Sequence, residues 1–600
     1  MKSLTELWNC TSKELGVLCH VSTVRDFKTV AGRVEHEGLS FLTISLPNFG
    51  KDFEKSLDRG WIGHDLFQGF TFGGGLPRFL GGFLDRVFER SSGRLLDSPC
   101  GDSIYAVRQL TLMFGKISVR CSDARERKAL RGYIECEQEV RRADRTLTDE
   151  LIQEFRRLTL LLFGDVLSEV DRKVFDLELL PKHGPGSTAD RLSGNRKFDQ
   201  REWTRRLEIA FPYGEYCMPN WRFSYLLART DFLEPRDERP VRVILVPKTL
   251  KTPRVIAIEP TCMQYAQQAV ATSLVECLET DNTVAGMVGF TRQEPNQLMA
   301  ELSSRDGSLA TIDLSEASDR VSNQHVRLLL KHFPNLSEAV DASRSRKADV
   351  PGHGVIRLAK FASMGSALCF PIEAMVFTIV TFIGIQRALK RQLSRAELTS
   401  YAGKVRVYGD DIIIPADCMS SVIKTLEDFG LKVNKDKSFG TGKFRESCGK
   451  EYYDGRDVSI TRVRHLLPSS LKESSKVIAV VSLRNRLYEA GLWQTAFWLD
   501  AGINPLLGGR YPYVGQDSPV LGRVSFLGYD VERLHPDTHG PQVKGHVVKS
   551  KPRPSRASGE GSLLKYFLKR GDKPFADREH LLYSGRPDSV LTKVRWARSA

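Results

Sequence analysis

At 600 residues the chain is too long for one hydrophobic core, so several lobes are expected. Its 41% hydrophobic and 27% charged residues are the proportions of a folded soluble chain, and they exclude a disordered polyelectrolyte. A formal charge of +15 points to a polyanionic partner, most simply nucleic acid, although charge alone leaves open a basic protein without one. The eleven cysteines are scattered, with no Cys-x-x-Cys pair and no histidine cluster beside them. That favours reduced thiols in a cytosolic compartment and argues against structural zinc. Glu6, Asn9, Cys10 and Thr11 stand where a signal peptide needs an apolar run, so a soluble protein is expected.

Residues up to about 140 read as irregular and glycine-rich, with Gly73-Gly74-Gly75 and Gly81-Gly82 set among aromatics. No strand-then-helix pattern surrounds these glycines, which favours turns over a nucleotide-cradling loop. From 149 to 171, Leu151, Ile152, Phe155, Leu158, Leu161, Leu162 and Val166 recur at helical spacing and predict a core-facing helix. Between Val241 and Pro260, two β-rich runs are joined by a turn bearing Lys248, Lys251 and Arg254. Such a hairpin suits a triphosphate, since Arg binds phosphate oxygens bidentately; the alternative is a sheet edge protected by lysines.

The run Leu309-Ala-Thr-Ile312 predicts a strand with Asp313 at its carboxyl end. Asp319 then falls in a turn leading into a helix through Val321 and Val326. Asp313 alone fits a helix cap as well as a metal ligand. Next comes the small-residue loop Ser363-Met364-Gly365-Ser366, which allows backbone to approach a nucleotide or template closely. The apolar stretch Ala374–Ile385 after it is too short to span a bilayer and reads as a buried helix.

Val405-Arg-Val-Tyr408-Gly409-Asp410-Asp411-Ile412-Ile-Ile414-Pro415 is the most informative segment. β-Branched runs flank a glycine turn, predicting a hairpin with two carboxylates at its tip. Their repulsion calls for cations, and a pair of Mg²⁺ ions is the natural choice for hard oxygen donors. A two-metal site stabilises the attacking and leaving oxygens of an in-line phosphoryl displacement, and Asp313 on a neighbouring strand would complete its ligand set. The tetrapeptide alone also fits a solvated turn. Within Asn434-Lys435-Asp436-Lys437, a lysine is placed to protonate departing pyrophosphate. From Lys544 onward, Lys549, Lys551, Arg553, Arg556, Lys565, Lys569 and Arg570 are broken by Pro, Gly and Ser, which reads as a flexible basic tail, either RNA-contacting or merely solvated.

Taken in order, the basic hairpin with Ile256 to Pro260, Asp313-Leu-Ser, Ala317-Ser-Asp319, Ser363-Met-Gly365, Tyr408 to Ile413, the lysine motif and Phe444 to Lys450 resemble viral RNA-directed RNA polymerases. The likeness covers roughly residues 180–465 and is strongest to the replicase β subunits of positive-strand RNA bacteriophages of the Qβ type. Residue 366 is Ser where those replicases have Asn. The resemblance implies an α+β right-hand fold of fingers, palm and thumb, with an antiparallel palm sheet backed by helices. It divides the chain into 1–140 (N-terminal extension and part of the fingers), 141–300 (fingers with the basic NTP-entry hairpin), 301–460 (palm, with 330–360 inserted in the fingers) and 461–600 (thumb and basic C-terminal segment). Asp313 and Asp410 would hold two Mg²⁺ ions, with Mn²⁺ as a substitute, and Asp411 would assist. Lys248, Lys251 and Arg254 would face the triphosphate, with Gly365 in the nucleotide-binding loop. Lys437 would be the acid, and Asp319 with Ser363 would recognise the ribose hydroxyls. Partners implied are single-stranded RNA template and product, NTPs, host elongation factors Tu and Ts and a ribosomal RNA-binding protein, in the cytoplasm of a bacterial host and without a membrane. A reverse transcriptase shares the palm but usually carries a bulky aromatic five residues after the first aspartate; here Ser318 stands there, which favours RNA synthesis. A non-catalytic RNA-binding protein would explain the charge but not the three carboxylates.

Overall fold

Leu4, Leu7, Trp8 and Leu15 recur at helical spacing and are buried along α1 (Lys2–Leu18). This is the first helix of the computed structural model, which describes residues 2–551, 553–570, 579–583, 587 and 589–600. Next come α2 (Val24–Glu37), α3 (Leu46–Arg59) and α4 (Gly101–Leu112), so the stretch expected to be irregular is largely helical. The glycines mislead because they are local. Gly74 and Gly75 do turn a short hairpin, with Gly73 paired to Leu76, but Gly81 and Gly82 open a brief helix. α5 (Asp123–Thr146) and α6 (Asp149–Phe175) follow. α6 buries Leu151, Phe155, Leu158, Leu162 and Val166, as their spacing predicts.

The basic hairpin forms between β1 (Val241–Val246) and β2 (Arg254–Ile258), closed by the pair Val246↔Arg254. α7 (Thr261–Thr280) leads on toward β3 (Leu309–Ser315). The expected helix through Val321 and Val326 is in fact two. α8 (Ala317–Arg320) stops, and α9 (Asn323–Leu329) begins again at Ser322, whose hydroxyl accepts from the His325 N–H while His325 Nδ1 accepts from the Ser322 N–H. That reciprocal cap stabilises a new helix start where a continuous helix was expected. α10 (Pro334–Ser343) precedes β4 (Lys347–Val350) and β5 (Gly354–Arg357), which complete a sheet of order β2-β1-β4-β5.

α11 (Cys369–Leu389) extends the apolar run on both sides. By length and composition it is long enough to cross a membrane, yet 94% of its apolar window is buried in the protein. β6 (Arg406–Tyr408) and β7 (Asp411–Pro415) form the expected hairpin. With α12 (Met419–Asp428) and β8 (Lys432–Val433) the central antiparallel sheet is complete, in the order β6-β7-β3-β8. Ile312, Val407, Ile412 and Ile414 are buried in one core with α11 and α12, so helices back the sheet as the α+β reading requires.

A hairpin of β9 (Phe444–Ser447) and β10 (Lys450–Tyr453) leads to α13 (Ser474–Glu489) and α14 (Trp493–Leu506). Phe444, Val477, Leu487 and Leu521 share a second core with Leu7, Trp8, Phe53 and Val107, joining the start of the chain to residues 439–521. The basic segment after Lys544 is not a loose tail where it is described. β11 (Pro541–Lys551) pairs with β12 (Ser589–Arg598) from Gln542↔Arg598 to Lys551↔Ser589, and α15 (Glu560–Lys569) follows β11 in sequence. Its lysines masked the pattern. Val543 and His546 are buried while Lys544 and Lys549 face out, and Lys565 is buried with Nζ 3.2 Å from Asn195 Oδ1.

Candidate active site: three carboxylates beside a cationic hairpin

The hairpin turn needs Gly409. Its φ is +59°, and a Cβ there would stand 2.5 Å from the Phe370 ring. Adjacent β3 sets Asp313 directly across from Asp411, with Ile312 across from Ile412. Asp313 therefore meets the hairpin tip through strand register, not as a helix cap. Its Oδ2 accepts from Asn434 Nδ2 (2.7 Å) and its Oδ1 from Lys437 Nζ (3.1 Å). Asp411 Oδ2 accepts from the Cys448 N–H at 3.2 Å. Burial, then repulsion from Asp410, Asp313 and Glu446, pushes the Asp411 carboxyl up to about 7. Burial also raises Asp313, with Asp410 adding to it against the pull of Lys437. The Lys437 ammonium is held above its ordinary range; burial opposes this, but Glu446 and Asp313 outweigh it.

Asp313 and Lys437 open onto a cavity of 710 Å³ that Asp319 and Asp410 line with them, together with Lys248, Lys251 and Arg254, while Asp411 stands outside its lining. β2 is a sheet edge, so its turn could have been merely protective, yet all three cations of that turn reach the cavity. Burial, then Arg254 and Lys437, lowers the Lys248 ammonium. That crowding of positive charge is what a polyphosphate relieves. Ser318 lines the cavity with a small side chain.

The loop of small residues is clamped onto β2. The Ala257 N–H donates to the Met364 carbonyl (3.0 Å), and Gly365 lies at φ +133°. A Cβ on Gly365 would stand 2.0 Å from the Ala257 oxygen, so only glycine fits. Met364 lines the cavity, whereas Ser363 is buried behind it with Oγ 3.0 Å from Tyr133 Oη. Ser366 Oγ instead donates to Gln267 Oε1 (3.0 Å).

One residue escaped the sequence. Lys360 is wholly buried, with Nζ 3.1 Å from Asp319 Oδ1, 3.5 Å from Glu137 Oε1 and 3.6 Å from the Tyr133 ring centroid. Burial would lower this ammonium, but Asp319, Tyr133 and Glu137 raise it instead. Tyr133 thus links Ser363 to the lysine that holds Asp319. The available signal was a lone lysine inside Leu358-Ala-Lys-Phe-Ala362, a setting that demands a buried partner.

As donors to a cation, the three carboxylates have the right chemistry: hard oxygens on two paired strands and the adjoining hairpin turn, repelling one another. Their side chains are not gathered as a cage, and among the described residues no three His, Cys, Asp or Glu groups surround one point. Asp313 is turned to Lys437 and Asn434, and Asp411 to the Cys448 amide.

Residues 230–495 match the family described as RNA replicase, beta-chain. The RNA-directed RNA polymerase subunit beta of Qbeta virus (strain MX1) is 37% identical over 228 residues, covering 38% of this chain and 36% of that one. The RNA-directed RNA polymerase beta chain of Enterobacteria phage fr is 37% identical over 379 residues, 62% of each chain. A solved RNA-dependent RNA polymerase of a human picorbirnavirus superposes with a TM-score of 0.32 at 13% identity over 45% of this chain and 57% of that one, too loose a likeness to add to the argument. The matches span from about a third to three-fifths of those phage relatives' own lengths. The region that matches the RNA replicase β-chain family is the one that carries Asp313, Asp410 and Asp411 together with the cationic hairpin.

Proposed function

We propose that this chain is an RNA-directed RNA polymerase that replicates a single-stranded RNA phage genome by nucleotidyl transfer from NTPs. The observation that carries the reading is the register Asp313↔Asp411 at the hairpin tip, with Asp313 and Asp410 lining a cavity that Lys248, Lys251 and Arg254 also line. In this reading the sheet β6-β7-β3-β8 is the palm, the sheet holding β1 and β2 belongs to the fingers, and the region after 461 is the thumb. Asp313 and Asp410 would hold two Mg²⁺ ions with Asp411 assisting, and the metals would supply charge to offset that on the attacking and leaving oxygens. Lys248, Lys251 and Arg254 orient the triphosphate, Arg254 by paired N–H donors. Lys437 is positioned to give its proton to the leaving pyrophosphate. Asp319, steadied by Lys360, accepts from the ribose hydroxyls beside a Ser318 too small to exclude them, which favours ribonucleotides over the reverse-transcriptase alternative. Template and product RNA are partners in this account, and family resemblance adds elongation factors Tu and Ts and a ribosomal RNA-binding protein of the bacterial host, in whose cytoplasm the chain would act.

The test is RNA synthesis by the purified chain on a template carrying the 3′ end of its own genome, with NTPs and Mg²⁺, with and without host lysate. Template-dependent RNA is expected. Incorporation of dNTPs in preference to NTPs would overturn the reading.

A further inference from the structure

Beyond the C-terminal turns of α5 lies a separate cavity of 560 Å³, large enough for a nucleotide-sized ligand. Six guanidinium groups line it, from Arg141, Arg145, Arg327, Arg344, Arg346 and Arg357, against the carboxylates of Asp144 and Asp341. Asp341 is already engaged, 2.7 Å from Arg346 and 3.7 Å from Arg206. Apart from Arg346, none of these arginines forms an ion pair among the described residues.

Arg344 is the informative member. It is buried, and its bonds go only to neutral carbonyls: Nε to Phe361 (2.9 Å), Nη2 to Leu358 (3.1 Å) and Lys360 (2.8 Å). Burial, with Asp341 and Glu137 opposing and Arg346 and Arg206 adding to it, brings its guanidinium down to about 10. A buried cation with no carboxylate at ion-pair distance is costly unless an anion reaches it from outside. The cavity supplies the route. It also does not end there: a second hollow of 570 Å³ shares Asn323, Arg327 and Asp341 and adds Lys331, while Arg206 in its wall is already held by Glu238 (2.7 Å) and Glu338 also lines it. The cations thus run on past α9 from Arg327 to Lys331 as a trough, which suits a chain of phosphates better than one isolated ion.

We propose that this arginine-lined trough binds the phosphodiester backbone of single-stranded RNA at a site separate from the cavity of Asp313. The inference rests on the polymerase reading only in naming RNA as the polyanion. The trough also abuts the first cavity mechanically, because the backbone that Arg344 grips at Leu358, Lys360 and Phe361 is the backbone that carries Lys360 to Asp319.

Arg344 itself is a poor test, since removing it frees three carbonyls and endangers folding. Arg145 and Arg327 are exposed, so the double variant R145A/R327A of the full chain is the probe. Affinity for a labelled single-stranded oligoribonucleotide is measured across a series of KCl concentrations, alongside calorimetric titration with inorganic pyrophosphate. Two lost phosphate contacts should flatten the plot of log affinity against log salt by about 1.4 units, while R145K/R327K keeps the wild-type slope. An unchanged slope in R145A/R327A overturns the proposal. So does an unchanged slope accompanied by loss of pyrophosphate binding, which would assign the trough to free polyphosphate. A flattened slope in a protein that makes no RNA would leave the trough standing and remove the polymerase reading.

Discussion

Two buried charge clusters lie side by side in this molecule and treat their carboxylates in opposite ways. Around Arg108 the charges balance: Arg108 reaches Glu54 (2.9 Å) and Glu451 (2.8 Å), Lys51 reaches Glu54 (2.6 Å) and Glu446 (3.5 Å), and Arg462 reaches Glu451 (3.1 Å). Burial alone would raise Glu446, yet Lys51, Lys437, Arg108 and Arg462 hold it well below the usual carboxylate range. At the hairpin tip three aspartates share one close ammonium, that of Lys437, which also lies 4.0 Å from Glu446; there Asp411 rises to about 7. Paired charges join α3, α4, β9 and β10. At the hairpin tip Asp313 alone has such a partner, Lys437, among the described residues.

Substitutions in the two clusters should therefore separate activity from stability. The largest effect is expected from Asp410→Asn: nucleotide incorporation should fall by at least about a thousandfold, with RNA affinity nearly intact, because affinity comes from Lys and Arg contacts to phosphate. Its melting temperature should hold or rise, since a repulsion is removed. Glu54→Gln should do the reverse, costing about 3 kcal/mol of stability by leaving Arg108 and Lys51 under-compensated in the interior. Denaturant unfolding checks this, and specific activity per folded molecule should stay close to wild type.

What was readable from the sequence follows the same division. The Asp313 strand and the Tyr-Gly-Asp-Asp hairpin are legible because short apolar, β-branched runs and one obligatory glycine act within a few residues. Lys360 was not, because its partners Glu137 and Tyr133 come from α5, far back along the chain. The arginine trough was hidden for the same reason, gathered as it is from α5, α9, β5 and the segment after α10. The helices before residue 140 and the strand Pro541–Lys551 are hidden in the sequence because glycines or lysines interrupt the buried positions that form them.

Two smaller effects sharpen the contrast between holding and binding. Lys360→Met leaves Asp319 without its ion-pair partner, so discrimination of GTP over dGTP opposite one template cytosine should drop about tenfold, and Lys360→Arg should recover part of it. A fall in melting temperature with unchanged discrimination would make Lys360 purely structural. Asp319→Ala should erode the same preference by lowering GTP use. Arg254→Ala should reduce kcat/KM for NTPs by about tenfold while template affinity holds; a loss confined to template affinity would place Arg254 in the RNA path instead.

If the hairpin aspartates take up a cation as proposed, and the charge-balanced Arg108 cluster does not, Mg²⁺ should tell the two apart. Thermal unfolding of the wild type, Asp410→Asn and Glu54→Gln, each with and without Mg²⁺, tests it without any need for turnover. A cation that binds the folded state raises its melting temperature. Mg²⁺ should stabilise the wild type and, from a lower starting point, Glu54→Gln by a similar increment, and should leave Asp410→Asn nearly unmoved. An equal Mg²⁺ response in Asp410→Asn and the wild type would contradict the account.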